Sequence, residues 1–496
     1  MKKHFSEKSF TFFTINFIVG LGFLTTFSEI LNIGFYGYLV IALCLLTMTG
    51  TALVFARLGN AFKEHYGGSY AYARHLDSTL FEEQPNVENK WYKFKKGFVK
   101  NFCYFIGWNQ FLQSPVLSSV SPLFLAQTFE LVIPKTISNY ITIIWIIRVI
   151  AFIFFGALIL ISTKGLSLNT KVVFLTSAVK WAFLLIGFVN LVYLSVIKPG
   201  GYTVVYETTK KATSTMIFGS ILVFIFAFAG IEDMASMAKD AEFKNFKRIL
   251  FVSLGIVAVV YLAFYSVYLA IKFDSNNNEF SQIYYLVMNI TGTIVFIIGF
   301  IFNDIGYKIT QTVSTARKLI PLALDNHINP KYADHNKHVE YRNAIILTAV
   351  ITFIAMLVLW LVPTLLSKTK DNDNPFFTAV IKVNSLALLI EDTLTAVVAL
   401  ILEKKKQISK IPWWEKTIYI VNILWISTLI LFFLVPNILG NNWDETNTFV
   451  VVVYLSFVLI GFIIKWMWIY KQKKPNNLKK IIFWKEIWNK RKKNNV

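Results

Sequence analysis

The residues of this chain best suited to chemistry are ionisable groups set inside long apolar runs. Phe224-Ile-Phe-Ala-Phe-Ala-Gly-Ile-Glu-Asp233 starts as hydrocarbon-compatible sequence and then places Glu232 and Asp233 beside Gly230. Ionised groups at that depth are costly unless they face protein or a wet cavity. Backbone leaves the helix there only where it lines such a cavity. The first apolar run has a matching interruption at Gly20-Leu21-Gly22. Lys180, within Ser177-Ala-Val-Lys-Trp, lies too deep in its run to reach the surface easily, and Asp304 in a later run is a plausible partner for it. An intramembrane lysine or carboxylate marks an ion or proton pathway by default.

The chemistry these groups predict is non-covalent. A helix interrupted in mid-membrane offers unpaired backbone groups. The half starting at Gly20, Leu21 and Gly22 presents N–H groups and a positive dipole end, which suit a carboxylate. Its glycines allow close approach to the backbone. Carbonyls near Ile18 and at Phe226, Ala227 and Ala229, around Gly230, would accept from an ammonium group. A zwitterion with both charges on one carbon fits the two halves together. Phe226 and Phe228 stand at this break, where packing or lipid contact is the ordinary role of an aromatic in a chain with 46 phenylalanines. Arg148, Lys382, Glu391 and Asp392 also lie at or near membrane depth. The last three would bind a charged side chain, close an ion-pair gate, or pair with neighbours.

The elements that must position these groups follow from composition. The 496 residues are 55% hydrophobic and 16% charged, with mean hydropathy +0.55. Apolar runs of about 20 residues recur along the whole length. They predict an all-α integral membrane protein with twelve spans, near 10–31, 35–58, 98–128, 140–162, 169–197, 213–238, 248–272, 282–312, 342–363, 376–402, 413–438 and 448–470. With the N-terminus inside, 39 of the 49 lysines and arginines fall on inner segments, 7 on outer loops and three within spans. That imbalance predicts both termini in the cytoplasm. It also explains the net charge of +21 without nucleic acid, and it favours contact with an anionic inner leaflet.

The first and sixth spans run antiparallel and carry breaks at corresponding places, Gly20-Leu21-Gly22 and Gly230, which predicts a first five-helix repeat (10–197, with an inner loop 59–97) and an inverted second repeat (213–402, with an inner loop 313–341). A short inner N-terminus (1–9), two additional spans (413–470) and a basic tail (471–496) complete it. The tail carries Leu478, Ile481, Ile482, Trp484, Ile487 and Trp488 near helical spacing among lysines, as in a helix lying on the membrane surface. The run after residue 9 lacks a small-residue cleavage site and reads as an anchor. Cys44 and Cys103 form no disulfide framework. His335 and His338 are spaced for a metal, but a solvated loop pair is the commoner meaning; no metal or cofactor is expected.

Four stretches resemble the amino acid–polyamine–organocation superfamily of permeases. Gly20-Leu-Gly-Phe-Leu-Thr25 is similar to the family's first-helix break. Gly67-Gly-Ser-Tyr-Ala-Tyr-Ala-Arg74 matches its first inner-loop motif. Phe226-Ala-Phe-Ala-Gly-Ile-Glu232 with Lys244-Asn-Phe-Lys-Arg248 resembles its sixth helix, and Ala316-Arg-Lys through Asn329-Pro330 the segment after its eighth. Departures are Leu21 for a small polar residue, Phe246 for a proline, and a longer interval between Gly230 and Lys244. The resemblance implies broken first and sixth helices, an α-amino acid held by its backbone groups, and alternating access. Lys180 resembles a fifth-helix lysine of proton-coupled members, which implies symport with a proton, Glu232 or Asp304 sharing the coupling; sodium is the alternative coupling ion. Exchange of amino acids or polyamines is the alternative. A membrane enzyme is disfavoured because every histidine lies in a loop, a channel because no ring of charge or carbonyl filter appears, and a primary pump because no nucleotide-binding loop does.

Overall fold

In hydrocarbon an apolar run satisfies its backbone by closing every hydrogen bond within itself, so runs of this length become helices. The computed structural model describes residues 6–77, 90–130, 133, 136–163, 166–273, 280–335, 341–361, 375–440 and 442–473. Its α-helices in chain order are α1 (Glu7–Ile18), α2 (Leu21–Leu31), α3 (Tyr36–Ala61), α4 (Ser69–Ala73), α5 (Lys90–Ser118) and α6 (Val120–Glu130). Then come α7 (Tyr140–Ser162), α8 (Leu166–Ile197), α9 (Gly201–Lys211), α10 (Ser214–Phe224), α11 (Ile231–Ser236) and α12 (Phe246–Leu269). The last are α13 (Phe280–Leu324), α14 (Arg342–Met356), α15 (Pro375–Lys404), α16 (Trp413–Leu434) and α17 (Glu445–Lys473). Among the described residues there are ten helices or continuous helical stretches long and apolar enough to cross a membrane, and α1 with α2, bent by 47°, make an eleventh. The chain is an all-α, multi-pass membrane protein.

The broken segments sit inside the bundle. Helix α1 packs on α12, α2 on α10, and α13 on α8. Large apolar side chains such as Ile153, Val196, Leu424 and Leu459 stand exposed on the outer faces of α7, α8, α16 and α17, as a lipid-facing perimeter requires.

Several boundaries differ from the sequence expectation, for physical reasons. The third span, expected as one helix over 98–128, is two helices interrupted at Ser119. It is polar because it faces protein: Asn109, Gln110, Gln113, Ser114, Ser118 and Ser121 are all buried. The eighth span, expected to end at 312, runs on to Leu324, because Ala316, Leu319, Ile320, Leu322 and Ala323 supply a buried apolar stripe. Helix α13 also kinks at Asn289, which takes a left-handed φ of 54°. Arg317 and Lys318, within the expected inner loop 313–341, and Lys308 just before it are therefore buried in the bundle. The stretch expected as an inner loop over 59–97 holds α4 and the start of α5, and the expected outer loop after the fifth span holds α9. The proposed surface helix of the tail and His338 lie outside the described residues; His335 stands edge-on to the Tyr341 ring, 5.9 Å between centroids.

A candidate binding site where two helix breaks meet

The first break is short. Helix α1 closes with the Val19 N–H on the Ile15 carbonyl, and Val19 then turns extended (ψ 95°). Gly20 continues extended, with φ −164° and ψ −134°, and α2 starts without any side-chain cap. The carbonyls this frees do not stay open. The Lys180 ammonium, carried by α8, donates to the Asn16 carbonyl at 2.5 Å and to that of Val19. The Tyr261 hydroxyl on α12 lies 3.4 Å from the Ile18 carbonyl.

The second break is longer. Helix α10 tightens into a 3₁₀ turn over Ile225–Phe228, Ala229 is extended, and Gly230 has φ +126°. A side chain at that φ would be strained, which is why glycine stands there. Tyr261 donates to the Ala227 carbonyl at 2.6 Å, and the Ala229 N–H to that of Phe226 at 3.2 Å. At the start of α11 the Glu232 carboxylate folds back and accepts from the Gly230 N–H at 2.9 Å.

The two breaks touch. A Cβ on Gly22 would lie 2.6 Å from the Phe226 carbonyl oxygen and 3.0 Å from the Ala227 Cα. A Cβ on Gly230 would lie 2.6 Å from the Phe17 ring and 3.5 Å from Ile18. Glycine at these two positions lets one backbone pass against the other. The half-helix ends are not equivalent, however. The α11 N-terminus is already served by a carboxylate of its own chain, whereas that of α2 has no capping side chain. The end that favours an added anion is thus the one at Gly20, Leu21 and Gly22.

Other buried charges find partners of their own. Asp233 pairs with Lys318 at 2.8 Å and accepts from Ser314 at 3.0 Å. Glu391 accepts from Ser69 of the Gly67–Arg74 motif at 2.5 Å and from Gln113 at 2.6 Å, and Asp392 accepts from Thr51 at 3.0 Å. Glu391 is thereby tied to the inner-loop motif. The motif itself is held down at further points: Gly67 abuts Pro321, Tyr70 and Arg74 both grip Asp325 (2.7 and 2.9 Å), and Tyr66 just before it meets Asp240 at 2.6 Å. Asp240 in turn pairs with Arg317. Burial pushes the Asp325 carboxyl upward, opposed by the adjacent Arg74 guanidinium.

Lys180 and Asp304 do not pair. Lys180 serves the α1 carbonyls, while Asp304 accepts from Ser121 at 2.8 Å and lies in the field of Lys308. The break in the first helix creates acceptors nearer to the ammonium than the α13 carboxylate. Phe226 and Phe228 are buried, the latter 5.1 Å from the Tyr261 ring. Arg148 pairs with Glu130 at 2.6 Å, and Lys382 acts electrostatically on Glu29 of α2. Sequence reasoning missed Tyr261. It sits in an unbroken apolar helix, and only its contact with both breaks marks it.

Comparison with known proteins places the chain in a family. The model of a family described as "Amino acid permease" matches residues 5–486. The chain is 27% identical over 502 residues to Uncharacterized protein MG225 of Mycoplasma genitalium, covering 97% of this chain and 98% of that one. It is 30% identical over 486 residues to Uncharacterized protein MG226 of the same organism, covering 93% and 94%. It is 27% identical over 494 residues to the Uncharacterized protein MG226 homolog of Mycoplasma pneumoniae, covering 93% of each.

Proposed function

This chain belongs to the amino acid permease family, and on that premise we propose that it carries an α-amino acid across the cytoplasmic membrane by alternating access, coupled to proton entry. The observation that carries this reading is the contact of the two breaks at Gly22 and Phe226, which brings an uncapped helix N-terminus against the backbone carbonyls of the sixth span. The substrate carboxylate sits on the N–H groups following Gly20. Its ammonium is received by the carbonyls of Ile18, Phe226, Ala227 and Ala229, two of which Tyr261 reaches and would have to share.

Coupling follows from Lys180. Its ammonium, held by the Asn16 and Val19 carbonyls, fixes the end of α1 while protonated. Loss of that proton weakens the hold and changes the balance between outward and inward forms. Glu232 and Asp304 are the carboxylates nearest in role. The two inverted five-helix repeats, 10–197 and 213–402, rock around the fixed site, with both termini cytoplasmic.

The test is counterflow in proteoliposomes with the twenty amino acids, with and without an imposed pH gradient. Saturable counterflow that the gradient drives uphill supports symport. Counterflow indifferent to the gradient would shift the reading to exchange. No saturable flux of any amino acid or polyamine would overturn it.

A further inference from the structure

At the end of the bundle where the basic residues gather, a cavity of about 720 Å³ opens between α3, α12, the turn after α15 and α16. Its wall carries three cations, Arg57, Lys247 and Lys406, against one carboxylate, Glu415. Arg57 is committed to Glu415, with two bonds of 3.0 and 2.6 Å, and so builds the wall. Lys247 and Lys406 make no ion pair among the described residues; the Lys247 ammonium lies against the Phe251 and Trp414 rings, and Lys406 stands exposed. Two helix N-termini end at the same place. Helix α12 begins at Phe246, where Asn245 caps the Arg248 N–H, and α16 begins at Trp413 behind Pro412 with the Glu415 carboxylate in its first turn. Ala56 and Ile408 are buried at the floor, and Asn60 and Ser409 stand exposed at the mouth.

Two ammonium groups outside any ion pair, on a concave wall that carries three cations against one carboxylate, favour a compact, multiply oxygenated anion over a zwitterion. We propose that this cavity binds a phosphate group, distinct from the site at the helix breaks and bridging the second, seventh and eleventh spans. Trp413, 81% exposed, and Trp414, whose ring lies 5.3 Å from the Lys247 ammonium, sit at the same level, as side chains at a membrane–water boundary do. The phosphate comes either from an anionic lipid headgroup or from a soluble phosphate compound. The occupant ties α3 to α12 and α16 and so bears on their relative motion.

The test uses the full chain purified in detergent, with three probes: phosphatidylglycerol, phosphatidylcholine and inorganic phosphate. Retained lipid is read by native mass spectrometry and stabilisation by thermal unfolding. The double variant Lys247→Gln/Lys406→Asn removes both free charges; asparagine suits the left-handed φ of 61° at position 406. Phosphatidylglycerol preferred over phosphatidylcholine by about tenfold in the wild type, with preference lost in the variant, assigns a lipid headgroup. Stabilisation by inorganic phosphate in the wild type alone, without lipid preference, assigns a soluble phosphate. Lys211→Gln/Lys272→Gln, an equal charge change at exposed positions at the opposite end, is expected to leave either response intact. Should the double variant fail to fold, Lys406→Asn alone reports about half the effect on the logarithmic scale. Equal retention of both lipids with no response to phosphate, or responses unchanged in the variants, would overturn the proposal.

Discussion

Gly22 faces Phe226 so closely that a methyl group on its Cα would stand 2.6 Å from the Phe226 carbonyl oxygen. That oxygen belongs to backbone, which cannot swing aside as a flexible side chain would, so the two broken spans depend on one another for their position.

Replacing Gly22 with valine is therefore expected to push α2 from α10 and reduce uptake by more than about 100-fold, as a displacement of about 1 Å does at a binding site. Protein inserted in the membrane should remain at near wild-type amounts. Uptake within a factor of a few of the wild type would argue against the site.

Lys180→Met removes the donor shared by the Asn16 and Val19 carbonyls, leaving both unsatisfied at a cost of about 1–3 kcal/mol each. The expected phenotype is residual counterflow that no longer responds to a pH gradient. It is read by imposing gradients of either sign on proteoliposomes. Persistence of gradient-driven accumulation would rule Lys180 out as the coupling group.

Asp240 joins Arg317 to Tyr66. Asp240→Asn leaves a guanidinium that is 0% exposed without its carboxylate, which is expected to cost about 3–5 kcal/mol. Tyr66→Phe deletes only a hydroxyl hydrogen-bonded to a charge, for about 1.5–3 kcal/mol. Thermal unfolding of the two variants should therefore fall in that order.

His327, beyond the end of α13, is held well below its ordinary value of 6.5 by burial, with Lys465, Lys100 and Arg74 adding to the effect. The unfolded chain then binds a proton more readily than the folded one below pH 6.5. Its contribution to stability is complete above that pH and is lost as pH falls towards the folded value. His75, depressed in the same direction, adds to the slope. Unfolding temperature should drop on acidification from pH 7.5 to pH 5.5, and His327→Gln should flatten that fall.

Much of the architecture was legible because it is local. A run of apolar residues long enough to cross hydrocarbon must be helical, and a glycine beside two carboxylates cannot continue that helix unremarked. The breaks at Gly20 and Gly230 accordingly stand where residue type alone places them. Boundaries were less legible at the third and eighth spans, where polar residues face protein, because hydropathy registers a residue's type and not the surroundings it finds.

What the chain alone determined was thus the all-α membrane class, the order of the spans and the two interruptions. Tertiary packing decided the rest, above all the partners of the buried charges. Asp240 meets Tyr66 and Arg317, Glu391 meets Ser69 and Gln113, and Lys180 meets backbone in place of Asp304. A charge buried in low dielectric takes the best oriented group within a few ångströms. Those neighbours come from helices scores or hundreds of residues away, so no spacing along the chain announces them.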